Sequence, residues 1–277
     1  MNKISKKGLL VSCLLSSILL SACSTPMQSR SVDKEVEIYL VRHGKTMLNT
    51  TDRVQGWSDA VLTPEGEEVV NTVAVGLQDV PFVGAFSSDS GRSVQTAELI
   101  LAKNQTSNQL VVQKDWRMRE FNFGTYEGDL NHNMWSDIAK HQGMTFDEWF
   151  NSDVSPREFA DSVAALEKVK MAKEKNPPSN WPAEDYATIT KRLRAGIEEI
   201  AKQSADQGGG PILVVSHGLS IGALVDNLKG GYQLPAGGIK NASVTKIHYK
   251  NGQFEVKEIG DVSYLEKGKA ILGQETK

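Results

Sequence analysis

The chain has 277 residues, 39% of them hydrophobic and 23% charged, with a formal net charge of −3. That composition describes an ordinary globular protein with enough chain for one sizeable core, as one domain or one domain plus an insertion. The slight acidic excess excludes the basic footprint of a nucleic-acid binder.

The first residues read as a processing segment. Lys3, Lys6 and Lys7 form a basic start, and an apolar run from Gly8 to Leu20 follows. That run has signal-peptide length and falls short of the ~20 residues that span a bilayer. Leu20-Ser21-Ala22-Cys23 then places small residues directly before a cysteine. This resembles a bacterial lipoprotein box. The resemblance implies cleavage before Cys23, lipid on Cys23, and attachment to a membrane on the extracytoplasmic side of the cell envelope. Residues 1–22 would be the signal peptide and 23–34 a short polar tether. Cys13 would leave with the signal, so the mature domain would carry neither free thiol nor disulfide. Its net charge would become −6 once the three lysines are gone.

Val36-Glu37-Ile38-Tyr39-Leu40-Val41 reads as a strand from its β-branched and aromatic content. It ends in Arg42-His43-Gly44, a planar donor fork and an imidazole at the carboxyl end of an expected parallel strand. Gly44 lets the chain turn and approach a ligand. Taken alone, the tripeptide suits a structural strand end with a salt-bridged arginine. Lys45 to Ala60 is a polar loop holding Asn49, Arg53, Gln55, Gly56 and Trp57. Thr63-Pro64-Glu65 is a helix start, with Thr63 as N-cap and Pro64 in the first turn. Val69, Val70, Val73 and Leu77 give that helix an apolar face.

Residues 83–87 form a second short strand, which leads through Ser88-Asp89-Ser90-Gly91-Arg92 into another helix. Helix N-termini favour phosphate through free N–H groups and the dipole. Leu110-Val111-Val112 is a third strand and residues 117–124 a loop containing Glu120. From 129 to 183 the pattern loosens into short helices around Trp135, Phe146, Trp149 and Phe150, expected as a helical cap insertion over the site. The tryptophans suit a small local core, and the lysines of 168–175 a solvated helix face. Residues 185–201 form an amphipathic helix. Ile212-Leu213-Val214-Val215 is a strand buried on both faces, ending in Ser216-His217-Gly218 before a helix over 220–228. Two alternating runs around Asn251-Gly252 form a hairpin. His132, His141 and His248 lack metal-ligand spacing.

The expected fold is α/β, a three-layer α/β/α sandwich with a mainly parallel sheet. The domain spans 35–267, includes the cap at 129–183, and is followed by a tail from 268. Strand ends in such a sheet converge on one edge. That edge would gather Arg42, His43, Arg92 and His217, a set suited to a dianionic phosphate. Glu120, among Arg117, Arg119, Phe121 and Phe123, is the carboxyl placed for proton transfer.

In this order the pieces resemble the histidine phosphatase superfamily of phosphoglycerate-mutase-like architecture, from Glu37 to about Tyr249. The motifs are Arg42-His43-Gly44 with Asn49, Gln55-Gly56-Trp57-Ser58-Asp59, Leu62-Thr63-Pro64-Glu65-Gly66 and Ser87-Ser88-Asp89 with Gly91-Arg92. They continue with Arg119-Glu120-Phe121 through Glu127-Gly128 and Ser216-His217-Gly218. Lys45 departs from the pattern, where members carry Glu or Gln, and places an extra cation near the site. The resemblance implies that His43 attacks phosphorus and that Arg42, Arg92 and His217 hold the phosphoryl oxygens. Glu120 would protonate the leaving oxygen, and Asn49, Gln55 and Gly56 would touch the substrate. Neither metal nor cofactor is called for, since the arginines supply the positive charge.

Three functions fit: a lipid-anchored phosphatase of small phosphomonoesters, a phosphoglycerate mutase, and an inactive surface binding protein on the same fold. Members with mutase activity carry an arginine pair in the insertion, and 129–183 contains only Arg157. An acid beside a nucleophile is of no use to a mere binder.

Overall fold

The alternation of apolar side chains along Val36–Arg42 sends Ile38 and Leu40 to one side of the sheet and Tyr39 and Val41 to the other, so this strand, β1, is covered on both faces. The computed structural model describes residues 34–175, 179–235 and 237–275. The expected signal peptide, Cys23, the tether up to residue 33 and Asn176-Pro177-Pro178 lie outside these.

After β1 come a single helical turn, α1 (Met47–Thr50), then α2 (Pro64–Gly76), β2 (Gly84–Ser87) and α3 (Gly91–Lys103). A two-residue edge strand, β3 (Gln113–Lys114), precedes the cap helices α4 (Asn131–His141), α5 (Phe146–Phe150) and α6 (Pro156–Lys173). The chain closes with α7 (Tyr186–Asp206), β4 (Gly210–Ser216), α8 (Gly218–Lys229), β5 (Val244–Lys250), β6 (Gln253–Asp261) and α9 (Ser263–Glu275). The sheet order is β3-β2-β4-β1-β5-β6; β3, β2, β4 and β1 run parallel, and β5 pairs antiparallel with β1 and β6. One core lies between the sheet and α7, α8 and the cap; the other lies between the sheet and α2, α3 and α9. The three-layer α/β/α sandwich is therefore the observed fold.

Start signals written in the sequence work locally. Thr63 Oγ1 accepts from the Gly66 N–H, with Pro64 in the first turn of α2. Ser155 and Glu158 form a capping box on α6, again with Pro in the first turn. That helix runs 18 residues, where the sequence reading expects only short helices. Three further expectations are corrected. Leu110-Val111-Val112 is not a strand: Leu110 and Val112 pack inward and Val111 is 82% exposed, while Gln113 and Lys114 pair with β2. At an edge the backbone decides pairing, so apolar content points to the wrong three residues. The polar loop after β1 contains α1, closed by a capping box between Thr46 and Asn49. Residues 268–275 are not a tail, because α9 continues through Glu275 and packs on α2 so closely that a Cβ on Gly268 would meet the Thr72 carbonyl. Among the described residues, no helix is long and apolar enough to cross a membrane.

Candidate active site

Strands β2, β4 and β1 are neighbours and end in register: Ser87 pairs with Val215, and Arg42 with Ser216. The residues that follow are thereby set side by side. The His43 N–H donates to the Ser216 carbonyl at 3.0 Å, and the rings of His43 and His217 lie 5.1 Å apart, edge to face. His43 is 4% exposed and His217 is fully buried.

The two imidazoles are held by different partners. His43 Nδ1 lies 2.7 Å from the Gly44 carbonyl, an acceptor, so Nδ1 carries the proton and Nε2 keeps a free lone pair. Burial, with Arg92 and then Arg42 adding to it, pushes the His43 pKa well below the ordinary histidine value and keeps the ring neutral. The His43 carbonyl accepts from Asn241 Nδ2 at 2.9 Å. Around His217, Nε2 meets Ser88 Oγ at 2.9 Å, and Nδ1 is buried without a protein partner. Nε2 also lies 3.4 Å from Ser93 Oγ, and when either hydroxyl donates to Nε2 the ring proton sits on Nδ1, which is then left to donate. Burial, then Arg92 and His43, hold His217 neutral as well.

Arg92 opens α3 and is fully buried. Its terminal nitrogens donate to the Ser58 carbonyl at 3.1 Å, Asp59 Oδ1 at 2.8 Å and the Gly56 carbonyl at 2.7 Å, which leaves Nε without a partner. Arg42 donates through one terminal nitrogen to the Ile239 carbonyl and likewise keeps Nε unpartnered. Burial pushes both guanidinium groups below their ordinary value; Glu120 opposes this at Arg42 and Asp59 at Arg92. Both stay cationic, since arginine starts so high. Gln55 Oε1 accepts from Thr46 Oγ1 at 2.6 Å, and its Nε2 is also buried without a partner.

Among the described residues, six buried side-chain polar atoms lack a protein partner, and four of them are Arg42 Nε, Gln55 Nε2, Arg92 Nε and His217 Nδ1. Arg42 Nε, Gln55 Nε2 and Arg92 Nε are donors in any case, and His217 Nδ1 becomes the fourth when a hydroxyl donates to its Nε2; all lie on residues that the sequence nominates for one anion. Folded proteins rarely bury unmet donors, and a cluster of them marks a place where a bound ion or ordered water completes the hydrogen bonding.

The Glu120 carboxylate sits at the start of α8. Oε1 accepts from the Phe121 N–H at 3.0 Å, the Ser220 N–H at 2.8 Å and Ser220 Oγ at 3.0 Å; Oε2 accepts only from the Leu219 N–H, at 3.0 Å. Oε2 is the oxygen with room for a proton. Arg42, Asn49, Gln55 and Glu120 line one cavity of about 440 Å³, which also takes in cap residues from α4 and α5. His43, Arg92 and His217 do not line it; His43 and His217 are next in sequence to the lining residues Arg42 and Gly218.

Several expectations change at this level. Gly56 has its N–H committed to Glu127 Oε2 at 3.1 Å and its carbonyl to Arg92, so neither is free for substrate. A Cβ there would stand 2.1 Å from the Phe121 carbonyl oxygen, which accounts for the glycine. Gly44 serves packing rather than ligand approach, since a Cβ would come 2.6 Å from Val70. Lys45 pairs with Glu65 at 3.0 Å and does not line the cavity, so its charge is compensated outside. Asn49 Oδ1 is engaged by the Thr46 N–H.

Sequence reasoning assigns no role to Ser88, Glu127 or Arg192. Glu127 accepts from the N–H groups of Gly56, Trp57, Ser58 and Phe123 and from Ser58 Oγ, and so fixes the loop that holds Arg92. Arg192, paired with Glu184, donates to the carbonyls of Arg117, Arg119 and Glu120 and clamps the Glu120 loop. Glu127 stands inside a quoted motif and was findable there. Arg192 sits 72 residues from Glu120 in an amphipathic helix and gives no local signal. Among the described residues, no three His, Cys, Asp or Glu side chains group as metal ligands.

A neutral imidazole with a free Nε2, set beside one buried and one half-buried guanidinium group at the end of a parallel sheet, defines a class of α/β proteins built to receive an oxyanion. The model of the histidine phosphatase superfamily (branch 1) matches residues 38–174 and 145–262, and the chain belongs to that family. It is 28% identical over 241 residues to a protein of Erwinia tasmaniensis named "Probable phosphoglycerate mutase GpmB", covering 83% of this chain and 95% of that one. The crystal structure of phosphoglycerate mutase from Bacillus anthracis is similar at 38% identity and TM-score 0.76, over 86% of this chain and 99% of that one. A phosphoserine phosphatase from Entamoeba histolytica, solved with 3-phosphoglyceric acid, shares the fold at 24% identity and TM-score 0.55, over 83% and 99%.

Proposed function

We propose that the chain is a phosphoric monoester hydrolase that works through a phosphohistidine on His43. His43 Nε2 attacks phosphorus; the bond from phosphorus to the ester oxygen breaks, and that oxygen takes the proton from Glu120 Oε2. Water then attacks the phosphohistidine, its proton passes to the Glu120 carboxylate, and inorganic phosphate leaves with His43 restored. The Nε atoms of Arg42 and Arg92, His217 Nδ1 and Gln55 Nε2 donate to the phosphoryl oxygens as charge builds on them. The observation that carries this reading is the group of four buried, unpartnered donors on residues around a histidine whose own proton is turned away.

The names of the relatives favour a second reading, a phosphoglycerate mutase. That reaction must grip a second anion, and the cavity favours hydrolysis here. Arg157, the arginine of the insertion, stacks on Tyr186 at 4.1 Å instead of lining the cavity. Incubation with phenyl phosphate and, separately, with 3-phosphoglycerate distinguishes the readings. Release of inorganic phosphate from phenyl phosphate supports the hydrolase; formation of 2-phosphoglycerate without net phosphate release supports the mutase. No turnover of either ester supports an inactive binding protein.

We also propose that the protein is held at a membrane by lipid on Cys23, outside the cytoplasm. The support is the basic start, the apolar run and the small residues before Cys23. Fractionation of cells carrying the native chain or Cys23→Ala tests it. The native protein is expected with membranes and the variant released from them; equal solubility of both in the cytoplasm contradicts the proposal.

A further inference from the structure

The cavity beside the phosphate donors says what kind of alcohol the ester carries. Its catalytic end is Arg42, Gln55, Glu120 and Gly218; its far wall is built by the cap, through Met134 and Trp135 of α4 and Trp149 and Phe150 of α5. The aromatic rings of that wall support one another. Trp135 lies 6.5 Å from Trp149 and 5.6 Å from Phe150, and Trp149 packs at 6.2 Å on Phe159, which also lines the cavity.

Size and charge point the same way. At about 440 Å³ the cavity falls in the range that encloses a drug-sized ligand, far more than a three-carbon phosphate fills. Its charged lining residues are Arg42 and Glu120 at the catalytic end, and one cation and one acid beyond, Arg53 and Asp153. The Arg53 guanidinium already donates to the Gly128 carbonyl at 2.7 Å. Arg53 and Asp153 balance each other in charge, and an anionic tail would lose hydration against indole and phenyl faces. Asn131, Asn151 and Ser152 also line the cavity and Trp149 Nε1 is buried without a partner, so the wall has hydrogen bonds for an uncharged polar group on an otherwise apolar alcohol. Phe150 is 45% exposed although it belongs to this wall, an aromatic face left for something apolar to cover.

We propose that the substrate is the phosphomonoester of a bulky, uncharged, largely apolar alcohol, whose alcohol portion lies against Trp135, Trp149 and Phe150. This rests on the hydrolase reading, because the same cavity joins the aromatic wall to Glu120, the group assigned to the leaving oxygen. The cap thus selects the leaving group, while the strand ends hold the phosphoryl group common to all esters.

The test is kcat/KM for ethyl, butyl and hexyl phosphate with the purified full-length chain, since their leaving oxygens are almost equally basic. Glycerol 3-phosphate and 3-phosphoglycerate serve as the polar and anionic comparisons. The expected result is a rise of about two- to fourfold per methylene, from the transfer of each group out of water. Both polar esters should fall below ethyl phosphate. Phe150→Ala, a change at a half-exposed position, should lower the hexyl-to-ethyl ratio at least threefold. A ratio that does not grow with chain length, or a preference for 3-phosphoglycerate over hexyl phosphate, overturns the inference while leaving the hydrolase reading intact. Failure to hydrolyse any of these esters, phenyl phosphate included, overturns both.

Discussion

At the scale of single residues, the site divides its labour by protonation. His43 and His217 are both neutral; the Gly44 carbonyl, which only accepts, places the His43 proton on Nδ1 and leaves Nε2 a lone pair, and the hydroxyls of Ser88 and Ser93 at His217 Nε2 allow an N–H at its Nδ1. The residue types were legible in the sequence: Arg42, His43, Arg92, Glu120 and His217 stand out as chemistry-bearing groups at strand ends or in a loop. Their tautomers were not, since these depend on single hydrogen bonds such as that from Ser88, 129 residues away from His217. Glu120 gives a discriminating prediction. In Glu120→Gln, an amide N–H₂ in place of Oε2 would face the Leu219 N–H, donor against donor, which disturbs every substrate alike. Loss of the acid itself should penalise only poor leaving groups. Turnover of alkyl phosphates is therefore expected to fall about 100-fold or more below that of phenyl phosphate, relative to the native ratio. Equal losses for the two ester types would remove Glu120 from the acid role. Because His43 is held neutral, the acid limb of kcat, measured at saturating substrate so that ionisation of the free phosphomonoester does not enter, should lie well below pH 6.5; a loss of kcat centred near 6.5 would contradict that environment.

At the scale of elements, strand register does most of the positioning. Parallel β2, β4 and β1 end level, so residues 88, 217 and 43 meet without any local sequence saying so. The strands β1 and β4 could be read directly, because apolar runs closed by Arg-His-Gly and Ser-His-Gly leave few other readings. The edge strand β3 could not, since its pairing uses backbone groups of two polar residues. The loop 55–59 is the other positioning device. It holds Arg92 through two carbonyls and Asp59, and Glu127 holds the loop through four donors and ties it to the Phe123 N–H through a fifth. Glu127→Ala leaves several N–H groups without their charged acceptor and should destabilise the fold by about 3 kcal/mol. It should also slow phosphoenzyme formation more than its breakdown, since Arg92 would no longer be fixed against the incoming phosphoryl group. Urea unfolding and single-turnover kinetics measure the two effects. Unchanged stability together with native single-turnover rates would show that the loop stands without Glu127.

At the scale of the whole molecule, the fold buries two histidines that stay neutral, and this couples stability to pH. Both folded pKa values are depressed, so below about 6.5 the unfolded chain takes up protons that the native state refuses. The contribution is fully present above that pH and is lost progressively below it, with a limiting slope of about 1.4 kcal/mol per pH unit for each histidine. Denaturant midpoints measured from pH 7.5 down to 5 should fall accordingly, and His217→Gln should remove its share of the slope. A native-like slope in that variant would mean that His217 is charged when folded.

The three-layer architecture, the cap and the meeting of the strand ends followed from periodicity and chain order. Part of what escaped the sequence reading was long-range, namely the packing of α9 onto α2 and the clamp of Arg192 on the Glu120 loop, and part was local, the single turn α1 and the full length of α6.

The central claim is that His43 Nε2 forms a bond to phosphorus. Rapid quenching of the enzyme with ³²P-labelled phenyl phosphate tests it most directly. The native protein should yield an acid-labile, base-stable phosphoenzyme, His43→Ala should yield none, and His217→Ala should form it more slowly. Label retained on His43→Ala with the same stability would contradict the account.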